Sequence, residues 1–403
     1  MRDGWQLLPL ADLLTRPEDR AVLAAELGQV RYAGAHWYAE GIYERQTVAA
    51  DKIKAKHLWL IQEGDVIYNR MWATKASFGV VQSDAAGCHV TNDFPIFRTQ
   101  PDRLLPDYVR LTFQSPRFQA VAAGAAVGTT ERRRLHERDF LRLRIPTPPL
   151  AEQRRIVDLV DAADVARQAA RRVITVGLAA PDSARSIPAD ATDRPALALG
   201  DLVEMRSGPS WKAADESSIP TDASQPVLGI TNTPAGSRII LDERKHVSGL
   251  PSSVQLLDPS SLVMIRTNGN RSRIGNIYRV TPEVEGFAVS AFQIAMRAID
   301  PNDQAFLYWY LGSPEVQDAI TAAASGSTGL GNIAVGWLKQ LRIPELETPE
   351  RVQYTALCEA VAAVVECAEA ELIRLSRLRS NLLDALLSGE HEIPESYDAL
   401  LAG

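Results

Sequence analysis

Two hydrophobic patterns alternate along this chain, and the alternation occurs twice. Short runs of period two, GDVIYNR at 64–70 and SLVMIRT at 261–267, predict half-buried strands. Each is followed by a short apolar helical stretch, DYVRLTFQ at 107–114 and AFLYWYLG at 305–312, closed by Ser115-Pro116 and Ser313-Pro314. Small-residue loops come next, GAAVGTTERRR at 124–134 and ASGSTGLGN at 324–332, and then a strand ending in Arg-Ile-Pro. A long helical pattern closes each set. In the first, Ile156, Leu159, Ala163, Ala166, Ala170 and Val173 recur at spacings of three and four, to about Leu178. In the second, Leu357, Val361, Val364, Ala368, Leu372, Leu375, Leu378, Leu382 and Leu386 do the same. That helix opens on Thr348-Pro349-Glu350, a capping hydroxyl, a proline at the first helical position and an early acid. Gly389 ends it.

The two sets lie 198 residues apart. Leu143-Arg144-Ile145-Pro146 returns as Leu341-Arg342-Ile343-Pro344, Gln119 meets Gln317, Gly128 meets Gly326, and Glu152 meets Glu350. The register holds without a gap for roughly eighty residues, so the chain is an internal duplication whose period makes each copy a domain. The expected layout is a first domain at 1–149, a helix at 150–180, a flexible linker at 181–196, a second domain at 197–348, a helix at 349–388 and an acidic tail at 389–403. The helices would be ~44 and ~60 Å long, beyond the ~30 Å of a small domain. Packing them antiparallel hides both stripes; the other solution lays each across its own domain's core. The fold class is α+β: two duplicated mixed α/β domains joined by two long helices forming an antiparallel coiled-coil-like spacer.

Composition narrows the function. Residues number 403, of which 46% are hydrophobic, enough for real cores, and no run of eighteen apolar residues suits a membrane. The opening MRDGWQLLPLADLL has no basic start before an apolar stretch, so no secretory signal is expected. Cys88, Cys358 and Cys367 lack metal-ligand spacing, which points to a reduced, cytoplasmic protein. Net charge is −7, but residues 1–150 carry 20 Lys and Arg against 17 Asp and Glu, while 346–403 carry 4 against 11. A basic footprint is local, so overall acidity does not exclude nucleic acid.

Catalytic motifs are missing. The only Pro-Pro, Thr147-Pro148-Pro149-Leu150, has neither the acid or amide nor the aromatic of a DNA amino-methyltransferase motif. No glycine-rich phosphate loop of either common type is present, and His36, His57, His89, His136, His246 and His391 are scattered. Glu-x-Lys within Asp242-Glu243-Arg244-Lys245 is half a nuclease signature and reads as a solvated turn. No cofactor and no metal are expected.

Polar loops on strand ends remain. RTNGNRSRIG at 266–275 brings together Arg266, Asn268, Asn270, Arg271 and Arg273. Arginine pairs with guanine edges and asparagine with adenine, and glycine permits close backbone approach. The equivalent NRMWATKASFG at 69–79 supplies Asn69, Arg70, Trp72, Lys75 and Ser77. Thr129, Thr130, Arg132 and Arg133 add hydroxyls and charge suited to phosphates, and their counterpart loop holds Thr328 and Asn332. Tyr308, Trp309 and Tyr310 read as core packing. Solvated turn chemistry is the plainer account of any single loop; two equivalent loops on duplicated domains favour double-stranded DNA.

IPTPPLAEQRRIV at 145–157, LRSNLLDALLSGEHEIP at 378–394, YAGAHWYAEGIYERQ at 32–46 and GDVIYNRMWATKASFGVV at 64–81 resemble the specificity subunits of type I restriction-modification systems. The resemblance covers nearly the whole chain. The second copy departs from it: ELETPERVQYT at 345–355 lacks the Pro-Pro-Leu-x-Glu-Gln core. The resemblance implies two target-recognition domains, each reading half of a bipartite DNA site, with the helices as a ruler. It implies no catalysis in this chain, and partnership with modification (methyltransferase) subunits and restriction (ATP-dependent translocase/endonuclease) subunits. The alternative is a non-catalytic protein-interaction scaffold without DNA specificity.

Overall fold

The computed structural model describes residues 4–18, 20–128, 133–185, 194–236, 238–325, 330–394 and 396–397. The chain divides into two compact units, Met1–Ala170 with Glu371–Gly403, and Arg171–Ala370. In the first, strand Gln6–Pro9 pairs antiparallel with Arg144–Thr147, placing Leu8 opposite Ile145, so the domain's beginning meets its end. A four-stranded sheet has the order Leu14–Thr15, Ile96–Thr99, Val66–Tyr68, Phe78–Val80. A five-stranded sheet has the order Ala21–Leu23, His57–Leu60, His89–Val90, Gln29–Ala35, Ile42–Ala49. Helices α1 (Pro106–Gln114), α2 (Pro116–Ala125), α3 (Glu137–Leu141) and α4 (Leu150–Arg185) follow. Proline opens both α1 and α2, where its missing N–H costs nothing, and Ser115 Oγ accepts a hydrogen bond from Phe118 N at 3.2 Å to cap α2.

The second unit repeats this plan. Ala196–Ala198 pairs with Arg342–Pro344, and a four-stranded sheet runs Val203–Ser207, Gln293–Ala298, Ser261–Ile265, Ile277–Arg279. A second sheet has the order Glu216–Ser217, Lys245–Ser248, Ser224–Leu228, Ala288–Val289. The helices are α5 (Leu199–Leu202), α6 (Gln304–Leu311), α7 (Pro314–Ala323), α8 (Val335–Gln340) and α9 (Thr348–Ser388). The starts of α1, α2 and α4 return at the starts of α6, α7 and α9 with the 198-residue offset.

The central strands are buried on both faces, not half-buried as their alternation suggests. Val66 and Tyr68 join the core under the helices, while Ile67 joins a second cluster with Ala33, Ile42 and Val90 from the other sheet. Leu262 and Met264 divide from Val263 and Ile265 in the same way. Under the first-unit helices the core is aromatic: Tyr68 stacks on Phe140 at 4.3 Å and Phe113 on Phe118 at 4.9 Å. Such pairs add about 0.5–1.5 kcal/mol beyond burial. Tyr308 and Trp309 are buried core residues, as the sequence suggests. The acidic tail seats Ile393 in the first unit's core with Tyr397 packed against it.

The first turn of each long helix grips its own domain. Glu152 accepts a hydrogen bond from Trp5 Nε1 at 2.9 Å, and Glu350 accepts two from Arg194 Nη1 at 2.7 and 2.8 Å. Gln153, 0% exposed, receives Leu105 N on Oε1 at 2.9 Å and donates from Nε2 to the carbonyls of Arg103 and Pro148 at 2.8 and 2.9 Å. Both amide N–H donors and the carbonyl oxygen are engaged, which explains the glutamine of the first-copy motif. The second copy places Arg351 there, donating Nε–H to Leu346 O at 2.9 Å and pairing with Asp303. A charged clasp does the work of the neutral one.

Within the first unit α4 and α9 run antiparallel: Val160 shares a core with Leu383, and further along α4 Arg167 Nε donates to Ser376 Oγ at 3.3 Å. In the second unit Gly177 faces Val365 so closely that a Cβ would lie 2.5 Å from Cγ2. The seam differs from the expected stripe at three places. Leu357, Val364 and Leu378 are 51–55% exposed, and the neighbours Cys358, Val365 and Arg379 turn inward instead. Arg379 sits at a seam position because Nε donates to Asp164 Oδ1 at 2.7 Å, with Arg167 Nη1 on the same oxygen at 2.6 Å. Burial pushes the Asp164 carboxyl up, but the bonds and charges of Arg379 and Arg167 outweigh it and leave the pKa below the usual carboxylate value. The folded-state pKa is therefore the lower one, so the pair stabilises fully above the ordinary carboxylate range and loses its effect as pH falls through the folded value. Asp164→Asn should lower Tm at neutral pH, and its gap from wild type should close as the melts are taken to acid.

Candidate nucleic-acid interface

In the first unit the 69–79 loop is built on the end of strand Val66–Tyr68. Asn69 N donates to Ser77 O at 2.8 Å and closes the loop, while Asn69 Oδ1 accepts from Met71 N at 2.9 Å in an Asx turn. The Arg70 carbonyl accepts from Leu135 N at 2.9 Å, which ties this loop to the end of the 128–134 loop. The base of that second loop is closed by Val127 and Arg134, exchanging N–H···O bonds of 2.9 and 2.8 Å. Arg133 is exposed, whereas Thr129, Thr130 and Arg132 lie outside the described residues. Two of the sequence candidates are engaged within the protein. Arg70, its side chain 16% exposed, donates Nη1–H to Asn92 O at 2.9 Å and Nη2–H to Glu137 at 3.1 Å. Ser77 is buried and donates to Ala35 O at 3.0 Å. Trp72 and Lys75, both half-buried, adjoin a further ring: Trp37 lies 5.7 Å from Trp72 and 5.7 Å from Lys75 Nζ.

The second unit repeats the clasp. The Arg266 carbonyl accepts from Ile333 N at 3.0 Å, Thr267 and Asn268 pair with Asn332 and Gly331, and Thr267 Oγ1 donates to Asn332 Oδ1 at 2.8 Å. Residues 330–332 and the 266–275 loop are thus joined in one surface, and Thr328 lies outside the described residues. Asn268 Oδ1 accepts from Asn270 N at 2.9 Å, and Asn270 Oδ1 from Ser272 N at 3.1 Å, two Asx turns in succession. They hold up Arg271, which is exposed. Arg266 Nη1 donates to Ser207 Oγ at 3.1 Å, and Arg273 turns inward to the carbonyl of Thr233. Gly275 closes the turn at φ +91°, and a Cβ there would meet Ile320 Cγ2 at 2.7 Å. Among the described residues no group of three His, Cys, Asp or Glu could hold a metal ion, and no helix is long and apolar enough to cross a membrane.

No family model and no curated protein matches the chain. Solved structures do. The HsdS subunit from Thermoanaerobacter tengcongensis aligns at 15% identity and TM-score 0.52 over 96% of this chain and 98% of that one. The S subunit of a type I restriction-modification system from M. genitalium aligns at 16% identity and TM-score 0.54 over 97% of each chain. A chain from a study of complex assembly in a type I R-M system aligns at 18% identity and TM-score 0.64 over 96% and 98%. The fold is that of a type I restriction-modification S subunit.

Within this S-subunit fold one feature was not marked as a site in the sequence. After strand Gln29–Ala35 the chain turns through Trp37–Ala39 with Tyr38 at φ 58° and Ala39 at φ 56°, and Ala39 N donates at 2.8 Å to the carbonyl of Ala76, itself at φ 50°. These are the only positive-φ residues other than glycine among those described. Left-handed backbone at such residues costs roughly 1–3 kcal/mol each. The turn is held by Gln119 Nε2 donating to Tyr38 O at 3.2 Å and Gln114 Nε2 donating to Ala39 O at 3.4 Å. The signal in the sequence is the adjacent aromatic pair inside HWYAEG, at 36–41. At the clasp of the second unit, Gly275→Ala should destabilise by at least about 1–2 kcal/mol, the cost of a Cβ in left-handed backbone, before any clash with Ile320 is added. Urea unfolding at matched pH measures it.

Proposed function

We propose that this chain is the DNA-recognition subunit of a type I restriction-modification complex, without catalysis of its own. Each recognition domain, 1–149 and 197–348, reads one half of a bipartite site, and the long helices set the distance between the halves. Modification and restriction subunits dock on this chain in the cytoplasm and supply methylation, translocation and cleavage. The observation that carries the reading is the duplicated pair of clasped loops, Arg70 to Leu135 and Arg266 to Ile333, on a fold shared with S subunits over nearly its full length.

Roles divide by position and exposure. Arg70, Ser77 and Arg273 turn into the protein and shape the loops. Arg271, Asn268 and Asn270 stand where base edges can be read, Arg271 by the bidentate geometry that suits guanine. Asn69, Lys75 and Arg133 serve the first half-site, with Thr129, Thr130, Arg132 and Thr328 assigned to phosphates. Phosphate contacts release counterions, so affinity of the assembled complex for DNA should fall steeply with salt. Arg271→Ala should cost ~1–3 kcal/mol of discrimination at one half-site and leave the other untouched. Competition binding with duplexes altered in either half checks this, and equal relaxation of both halves would contradict it.

A further inference from the structure

The recognition reading leaves the strained aromatic turn of the first unit unused, and the inference drawn from it rests on that reading. Trp37 is 48% and Tyr38 57% exposed, although they are among the largest apolar side chains of the unit. Exposure of this kind has an ordinary explanation when single residues are scattered. Here three things coincide. The backbone under the rings is left-handed at two consecutive non-glycine residues, a conformation that a glycine would take without strain. It is braced from helices α1 and α2 through Gln114 and Gln119 and from the 69–79 loop through Ala76, so the rings are presented by a rigid support. Trp37 stands against Trp72 and within 5.7 Å of Lys75 Nζ, which makes it continuous with the loop that the recognition reading already places on DNA.

The second unit treats the same place differently. There the strand Ser224–Leu228, like Gln29–Ala35, pairs in parallel with a short later strand and then enters a 3-10 turn, Ile230–Asn232. Asn232 and Thr233 face in there, while Thr231 is exposed. Asn232 is 2% exposed, accepting from Gly229 N at 2.9 Å and donating to the carbonyls of Ile240 and Glu243 at 3.0 and 2.8 Å, and Thr233 is fully buried. One unit spends this turn on its own interior; the other holds two aromatic rings out of it at the expense of strain.

We infer that the Trp37–Tyr38 turn is an aromatic wedge of the first recognition domain, packing on base surfaces and thymine methyl groups in a groove of duplex DNA, with Lys75 alongside on a phosphate. Apolar and aromatic wedges favour steps that unstack easily, so the contact contributes sequence preference and not only affinity. An aromatic contact releases no counterions, whereas a lysine–phosphate contact does. That difference separates the two parts of the site.

The test uses the complex of the full chain with its modification subunit. The probes are a duplex bearing the motif that this complex methylates and a scrambled duplex, titrated at several salt concentrations. Trp37→Ala and Tyr38→Gly should each weaken binding to the motif duplex at least ten-fold. The slope of log affinity against log salt should stay at the wild-type value, and preference should relax in one half-site only. Lys75→Ala should reduce that slope by about 0.9, the value for one phosphate contact. Tyr38→Gly also controls for folding, because glycine relieves the left-handed backbone and its Tm should equal or exceed that of wild type. Wild-type affinity and motif preference in both aromatic variants would overturn the wedge, as would weaker assembly with the modification subunit at unchanged DNA affinity. A wild-type complex that binds the motif duplex no better than the scrambled one would strike the recognition reading itself, and the wedge with it.

Discussion

The pairing of each domain's first strand with its last is the constraint on which the rest depends. Leu8 lies opposite Ile145 and Leu197 opposite Ile343, so the chain comes into and leaves each domain side by side. The residue just before the first strand, or at its approach, then reaches the first turn of the long helix: Trp5 to Glu152 and Arg194 to Glu350. A long helix that left its domain at a free end would be aimed by nothing. Here the strand pair, the first-turn glutamate and the residue beside it fix its departure, and Gln153 and Arg351 reach the same structural place with different chemistry.

The helix seam works against simple hydrophobic accounting. Apolar residues such as Leu357, Val364 and Leu378 are left half-exposed, while Arg379 and Asp164 occupy a position that leucine could fill. A buried ion pair stabilises less than a good hydrophobic contact of the same size, because both charges lose water. What it adds is register. With Arg167 and Arg379 converging on one carboxylate oxygen, a slip of one helix past the other would strand the charges, whereas a uniform stripe of leucine and alanine would tolerate it. Gly177 against Val365 does the same by shape in the second unit.

Local chemistry made much of the fold legible in the sequence. Ser115-Pro116 and Ser313-Pro314 close the short helices α1 and α6, as their sequence suggests, and the 198-residue offset exposes the duplication before any contact is known. The loops at 69–79 and 266–275 were found because polar residues cluster on strand ends. What escaped was decided by distant partners. Arg70 reads as a base-contacting arginine until Glu137, 67 residues on, is seen to hold it, and Ser77 until Ala35 does. Adjacent valines on α9 offer no local reason to prefer Val365 over Val364. Tyr38 and Ala39 escaped for a third reason: left-handed backbone is expected at glycine, and nothing in their identity announces it.

The central claim is that this chain alone decides which DNA sequence its complex acts on. Methylome sequencing of a host expressing the chain with its modification subunit, beside a host expressing the modification subunit alone, tests it most directly. The account predicts a bipartite methyladenine motif, two short specific elements around an unspecified gap, present only with this chain. An assembled and methylation-competent complex that yields no new motif would contradict it.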